Sequence, residues 1–219
     1  TLEKRIIDAI STNETYFFRD NAPFDLIQHK LIPDLIDRRT KSGASPLKTG
    51  IKIWSSASST GQEIYSIAMI LKDLGIDPIR YNIKLLATDI SDAAIAQASY
   101  GKYNRFEVTR GLSSQRLDRY FMPDGDFWRI KDEIRAMVTF RKMNLMKPFT
   151  GLGKFDMILC RNVAIYFTAE DRRRLFEKIA ESLEPEGFLI IGSTESLTND
   201  IMIFQPQRYL NSTFYVLKK

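Results

Sequence analysis

Ile51-Lys52-Ile53-Trp54, followed by Ser55-Ser56-Ala57-Ser58-Ser59-Thr60-Gly61-Gln62-Glu63, is the stretch that decides the fold. The first four residues read as a short apolar strand. A run of small polar residues follows, and then a helical pattern over 61–74 with Ile64, Ile67, Ala68 and Leu71 on one face and Gly75 as its stop. Small residues let a backbone approach a ligand closely, and a helix start offers free N–H groups. The turn holds one glycine and no Gly-Lys-Ser follows, so it is neither a dinucleotide fingerprint nor a P-loop. A serine-rich turn with an acidic residue suits a cationic, non-phosphorylated ligand better than a pyrophosphate; it is equally readable as a plain tight turn.

Outward from this stretch, strand and helix patterns alternate. Residues 82–87 read as a second strand that stops at Thr88-Asp89, and Ser91 is a good N-cap for a helix to about Ser99. Phe155-Asp156-Met157-Ile158-Leu159-Cys160 and Phe188-Leu189-Ile190-Ile191 read as buried strands. A helix with a basic face spans 169–183 between them, and Leu183-Glu184-Pro185-Glu186-Gly187 reads as the loop leading into the second. Thr213-Phe214-Tyr215-Val216-Leu217 closes the chain as a strand. Short apolar strands between helices predict an α/β domain with a parallel sheet covered on both faces. One region breaks the rhythm: Phe127-Trp128-Arg129-Ile130 and Val138-Thr139-Phe140 are strand-like, with Pro123-Asp124-Gly125 a tight turn before the first. A small helix plus hairpin is therefore expected as an insertion over about 111–135. Upstream, residues 23–39 are helix-like, and Thr40-Lys41-Ser42-Gly43-Ala44-Ser45-Pro46 is a linker candidate.

The chain has 219 residues, 44% hydrophobic and 27% charged, which suits one domain with a proper core. Net charge is +5 and the pI is about 9.2. This mild excess favours an acidic partner but is too small and too spread out to indicate nucleic acid. The single cysteine, Cys160, cannot form an internal disulfide, and with the single histidine, His29, it cannot build a Cys/His zinc site. His29 is expected in a surface or packing role within its helical run. No apolar run reaches the ~20 residues of a membrane span, and the first residues lack a signal-peptide core. The chain opens without Met inside a helical pattern over 2–10, so more protein is expected upstream.

In an open α/β sheet the ligand lies at the carboxyl ends of the strands, and the residues after each strand are the candidates. Asp89 can accept both hydroxyls of a ribose, or cap the helix that follows. Asn144-Leu145 comes after the strand at Val138, where polar groups could meet an adenine edge. Arg161-Asn162-Val163-Ala164-Ile165-Tyr166-Phe167 is hard to explain as core, although a helix start with a surface arginine has the same look. Thr12-Asn13-Glu14-Thr15-Tyr16-Phe17-Phe18-Arg19-Asp20 mixes polar residues with an aromatic cluster; its plain reading is a capped helix docking aromatics on the core.

Taken in order, these motifs resemble the chemotaxis receptor glutamate methyltransferases, the CheR family. They are Asn13-x-Thr15-x-Phe17-Phe18-Arg19, Trp54-Ser55-x-Ala57-x-Ser59-Thr60-Gly61-x-Glu63-x-Tyr65-Ser66, Thr88-Asp89-Ile90, Arg110-Gly111-Leu112, Asn144-Leu145 and Cys160-Arg161-Asn162-Val163-x-Ile165-Tyr166-Phe167. The likeness runs from about residue 11 to 219. It implies a Rossmann-like class I S-adenosylmethionine-dependent methyltransferase fold: a mostly parallel seven-stranded sheet with a small inserted β-subdomain. Residues 1–20 would be the remnant of an N-terminal helical domain or linker that touches the cofactor, and 21–219 the methyltransferase domain. The implied cofactor is S-adenosylmethionine, held by Asn13, Thr15, Arg19, Glu63, Asp89, Asn144, Leu145, Arg161 and Asn162, with Tyr166 facing the transferred methyl group. Arg38, or its neighbour Arg39, is a candidate for neutralising the substrate glutamate.

The implied partner is the cytoplasmic helical domain of methyl-accepting chemoreceptors, and the implied location is the cytoplasm, with neither nucleic acid nor membrane insertion. Two departures stand out: Gln62 replaces a glutamate common in the family, and the turn at Asp124-Gly125 looks short. The second implies no tether to a receptor-tail pentapeptide. Arg172, Arg173, Arg174 and Lys178 could steer docking, or form a solvated helix face. Two other functions fit the same pattern. One is a methyltransferase of this fold acting on nucleic acid or a small molecule, against which stands the lack of an Asn/Asp-Pro-Pro-Tyr motif and of an aromatic-basic stripe. The other is a signalling module that binds the cofactor without transferring methyl.

Overall fold

The structure, a computed structural model, describes residues 14–41, 50–76, 79, 81–197 and 201–218. Asn13, the helical pattern over 2–10 and most of the linker candidate lie outside the described residues.

The described chain begins as a short irregular segment, 14–20, and enters a helical arm. Helix α1 (Ala22–Leu26) passes through a widened π-helical turn (Ile27–Leu31) into α2 (Ile32–Lys41). The π turn ends two residues before Pro33, which has no N–H for the carbonyl one normal turn back. Phe24, Leu26, Ile27, Leu31, Ile32 and Leu35 form the buried face of the arm, and His29 is exposed.

The main sheet has seven strands in the order β6-β2-β1-β7-β8-β10-β9, the mostly parallel sheet that the resemblance implied. The strands are β1 (Lys52–Ser55), β2 (Lys84–Asp89), β6 (Val138–Lys142), β7 (Phe155–Cys160), β8 (Leu183–Ile191), β9 (Phe204–Tyr209) and β10 (Ser212–Leu217). β1 pairs in parallel with β2 and β7, β2 with β6, and β7 with β8, while β10 runs antiparallel to β8 and β9. All six residues of β7 are buried, as a strand covered on both faces requires. β8 starts within the expected loop. Its pairing with β7 is irregular between Leu183 and Phe188, which lets Pro185 and Glu186 project outward.

Helix α3 (Gln62–Asp73) buries nine of its twelve residues. All four residues of the apolar face read from the sequence are buried, and the helix packs against β1, β2 and β6. The rest is covered by the arm and by segment 14–20, whose Phe18 N–H donates to Ser66 Oγ at 3.0 Å. On the other face of the sheet α8 (Ala169–Glu181) buries Leu175, Phe176, Ile179 and Ala180.

Between β2 and β6 the chain builds α4 (Asp92–Tyr100), β3 (Lys102–Asn104), α5 (Arg105–Thr109), α6 (Ser114–Tyr120), β4 (Phe121–Asp124), β5 (Phe127–Ile130) and α7 (Asp132–Arg135). Three of these strands form a separate antiparallel sheet, β3-β5-β4. Its first strand lies upstream of residue 111, where the insertion was expected to start, and Pro123 and Asp124 belong to β4 rather than to the turn. Lys102-Tyr103-Asn104 is too short to announce itself by alternation. Three contacts fasten this sheet to the turn after β1 and to segment 14–20. Buried Tyr103 donates its hydroxyl to Thr60 O at 2.8 Å, and the Phe17 ring meets Tyr103 and Phe121 edge-on at 5.1 and 5.4 Å.

Candidate active site

The carboxyl ends of β1, β2, β6 and β7 open into a cleft of about 470 Å³, within the range of small-molecule and cofactor sites. The turn after β1 is knitted to both neighbouring strands: Ser56 N–H donates to Leu159 O at 2.9 Å and Ser58 N–H to Thr88 O at 2.9 Å. Its small side chains leave backbone facing the cleft. The cleft brings together Thr15, Arg19, Glu63, Asp89, Asn144, Leu145, Arg161, Asn162 and Tyr166, residues drawn from most of the length of the sequence.

Each of these has a local reason for its place. Asp89 ends β2, and its two oxygens accept N–H bonds from Ser59 at 2.8 Å and Ser91 at 3.0 Å. Each carboxylate oxygen can accept twice, so capacity for ligand hydroxyls remains. Helix α4 is capped by Ser91, which accepts from Ala94 N–H, and Asp89 is left to face the cleft. Asn144 Oδ1 accepts from Met146 N–H at 2.8 Å, which shapes the turn after β6. Met143 and Met146, which flank Asn144-Leu145 and also line the cleft, were not singled out in the sequence. Their place as apolar neighbours of the Asn144-Leu145 pair was the available signal.

Arg161 is a buried hub. Its guanidinium donates to Glu63 Oε2 at 2.9 Å, to Asp20 Oδ2 at 2.9 Å and to Arg19 O at 3.0 Å. The other Glu63 oxygen accepts from Ser55 Oγ at 2.8 Å. Arg161 therefore locks segment 14–20 to the ends of β1 and β7. Arg19 donates to Glu14 O at 2.6 Å. Tyr166 stands at the rim, 62% exposed, just after the end of β7. Beneath the site, complete burial pushes the Cys160 thiol up to about 12 and removes it as a nucleophile at neutral pH.

Arg38 is not brought to this cleft. It donates to Glu186 O at 2.7 Å and lies 4.7 Å from the Phe188 ring. Its neighbour Arg39 pairs with Asp156 near the start of β7. These contacts lie toward the amino ends of β7 and β8, the opposite end of the sheet from the cleft, because α2 runs down to that edge. The role suggested for Arg38 is therefore corrected.

The donor set fits an adenosyl sulfonium. Apolar side chains (Ile90, Met143, Leu145, Met146, Val163 and Phe167) offer walls for a base, and Asp89 lines the same cleft with acceptor capacity to spare. Among the described residues no cluster of three His, Cys, Asp or Glu is arranged to hold a metal ion, and no helix is long and apolar enough to cross a membrane.

Known proteins are similar to this chain over most of its length. Chemotaxis protein methyltransferase 1 of Pseudomonas aeruginosa is 39% identical over 202 residues, which cover 90% of this chain and 71% of the relative. Cher2, a chemotaxis protein methyltransferase of Pseudomonas putida, is 38% identical over 200 residues, 90% of this chain and 70% of its own. The chemotaxis protein methyltransferase of Vibrio parahaemolyticus is 39% identical over 218 residues, 97% of this chain and 75% of its own. With the family model for the S-adenosylmethionine-binding domain of CheR methyltransferases matching residues 13–209, the chain belongs to the CheR methyltransferase family.

Proposed function

We propose that this chain transfers a methyl group from S-adenosylmethionine to glutamate side chains on the cytoplasmic helical domain of methyl-accepting chemoreceptors, working in the cytoplasm. The observation that carries the reading is the single cleft in which Thr15 and Arg19 of the entry segment meet Glu63, Asp89 and Asn162 from the strand ends. The short turn between Asp124 and Phe127 favours recognition of the receptor without a pentapeptide tether.

S-adenosylmethionine, when bound, supplies a methyl group activated by its positive sulfur. A glutamate carboxylate is already ionised at neutral pH, with a reference pKa of about 4.3, so the protein has no proton to remove. Its task is alignment, which can supply roughly 7–11 kcal/mol. Asp89 accepts the ribose hydroxyls, and Asn144 and Leu145 meet the adenine. Arg19 meets the carboxylate at the amino-acid end of the cofactor. Glu63, Arg161 and Asn162 hold that end of the cleft in shape. Tyr166 borders the reacting centre and orients the incoming carboxylate.

The test incubates the protein with tritiated S-adenosylmethionine and receptor-bearing membranes. Label that appears on the receptor and leaves as volatile methanol in mild base is the signature of a carboxyl ester. Base-stable label, label on nucleic acid, or cofactor binding without transfer overturns the reading. Asp89→Ala removes a charged acceptor of two hydroxyls, and is expected to weaken S-adenosylhomocysteine binding by about 100-fold or more in titration calorimetry. Unchanged affinity sinks the ribose assignment.

A further inference from the structure

Neither the strand ends nor the family motifs drew attention to Glu195, four residues past the end of β8. One of its carboxylate oxygens, Oε2, accepts two backbone N–H bonds, from Asn162 at 2.8 Å and from Gly192 at 2.6 Å. The first donor belongs to the loop after β7 and the second to the loop after β8. The turn closes on itself through Glu195 N–H to Gly192 O at 2.9 Å. It reaches the entry segment through Ser193 Oγ to Asp20 Oδ2 at 3.2 Å, and Asp20 is itself bound to Arg161.

The residue Glu195 grips is a constrained one. Asn162 has a φ of +55°, a region in which side chains other than glycine are uncommon, although asparagine tolerates it better than most. Such a conformation persists only where the surroundings fix it. Gly192 leaves the room needed: a Cβ there would stand 2.5 Å from Glu195 Oε2 and 2.9 Å from Asn162 Nδ2. A single carboxylate thus bridges two loops, and one of its two bonds is made to a residue that lines the cleft.

We propose that Glu195 is a positioning residue for the cofactor cleft: through the Asn162 amide it holds the loop after β7 in its left-handed turn, and so sets the wall that meets the cofactor. The assignment rests on the reading of this cleft as the S-adenosylmethionine site. It goes beyond that reading in giving a role to a residue that does not itself line the cleft.

The test measures S-adenosylhomocysteine binding by calorimetry to the wild-type chain, E195A, E195Q and G192A, with thermal denaturation of each in parallel. E195A is expected to weaken binding roughly 10- to 100-fold, the range for losing hydrogen bonds to a charged acceptor. E195Q keeps an acceptor oxygen for both N–H groups and is expected to stay within about threefold of wild type. G192A leaves the carboxylate in the sequence but displaces it, and is expected to weaken binding as E195A does, so it answers the question if E195A does not fold. E195A or G192A variants that melt earlier yet bind like wild type would overturn the proposal and leave Glu195 a purely structural tie. Equal loss in E195Q and E195A would also overturn it. A wild-type chain that does not bind the ligand would sink the cleft reading itself, and Glu195 with it.

Discussion

Arg161→Met isolates what the buried guanidinium contributes. The arginine side chain is 2% exposed, and its partners Glu63 and Asp20 are 12% and 27% exposed. Methionine keeps much of the aliphatic packing and removes all three hydrogen bonds. Glu63 then remains as a nearly buried carboxylate with only the Ser55 hydroxyl for company. Removing one member of a buried pair costs about 3–5 kcal/mol, most of it the penalty of the charge left behind. For a chain of this size about 2–4 °C of melting temperature corresponds to each kcal/mol, so the variant is expected to melt roughly 6–20 °C lower. It still folds at room temperature where total stability exceeds that loss, as it does over most of the usual range of about 5–15 kcal/mol. Adding Glu63→Gln removes the stranded charge and is expected to recover at least half of the loss. The assay is thermal denaturation by circular dichroism on the wild type, both single variants and the double variant. A melting point within 2 °C of wild type for Arg161→Met, on the order of an ordinary surface change, refutes the hub. A double variant as unstable as the two losses added together refutes the stranded-charge explanation.

Two further outcomes follow from geometry and burial. Gly111 has a φ of +89°, and a Cβ there would lie 1.8 Å from Phe17 O. Gly111→Ala is expected to cost several kcal/mol by forcing segment 14–20 away from the small sheet; soluble protein with an unchanged melting point contradicts that contact. Cys160 is expected to resist a thiol reagent at pH 8 while folded and to react once unfolded in guanidinium. Its pKa is raised by burial from 9.0 to about 12, so above pH 9 the unfolded chain releases a proton that the folded chain keeps. Stability therefore falls as pH rises through that window, by about 1.4 kcal/mol per unit for this group. Buried Tyr65 and Tyr103, also raised by desolvation, push the same way above pH 10. Cys160→Ala is expected to flatten the slope between pH 9 and 10, and an unchanged slope in denaturant titrations contradicts the assignment.

The parts of the fold that could be read in advance are those in which local chemistry and tertiary environment agree. The run from Phe155 to Cys160 is apolar enough that its strand bounds follow directly, and Ser91 caps its helix with its own hydroxyl. β9 gave no such signal. It is an edge strand whose Gln205, Pro206, Gln207 and Arg208 are all exposed, with a proline that only an edge accommodates. For the site, the rule that ligands sit beyond strand ends singled out Asp89, Asn144 and the run after Cys160. Thr15 and Arg19 came from the family resemblance, since nothing local says that segment 14–20 folds back over the sheet. Arg38 failed because helical periodicity gives the face on which a side chain lies, and not the end of the sheet the helix reaches. Glu195 stayed hidden because its partners are backbone amides, which carry no sequence signal.

Part of the charge around the cleft is already engaged within the protein, and this narrows which groups can meet a ligand. Glu63 is held by Ser55 and Arg161, and Arg161 by Glu63, Asp20 and the Arg19 carbonyl. Two cations line the cleft, and Arg161 is the one already committed. Arg19 is different: among the described contacts its guanidinium makes one hydrogen bond, to Glu14 O, and rests 5.8 Å from the Tyr16 ring centroid. A guanidinium has five N–H donors, so this bond uses a small part of the capacity of a residue that lines the cleft. For the proposed methyl transfer, which needs alignment rather than proton removal, this division of labour is the expected one. One arginine is buried and ties the loops together, and a second, on the segment those loops hold in place, lines the cleft.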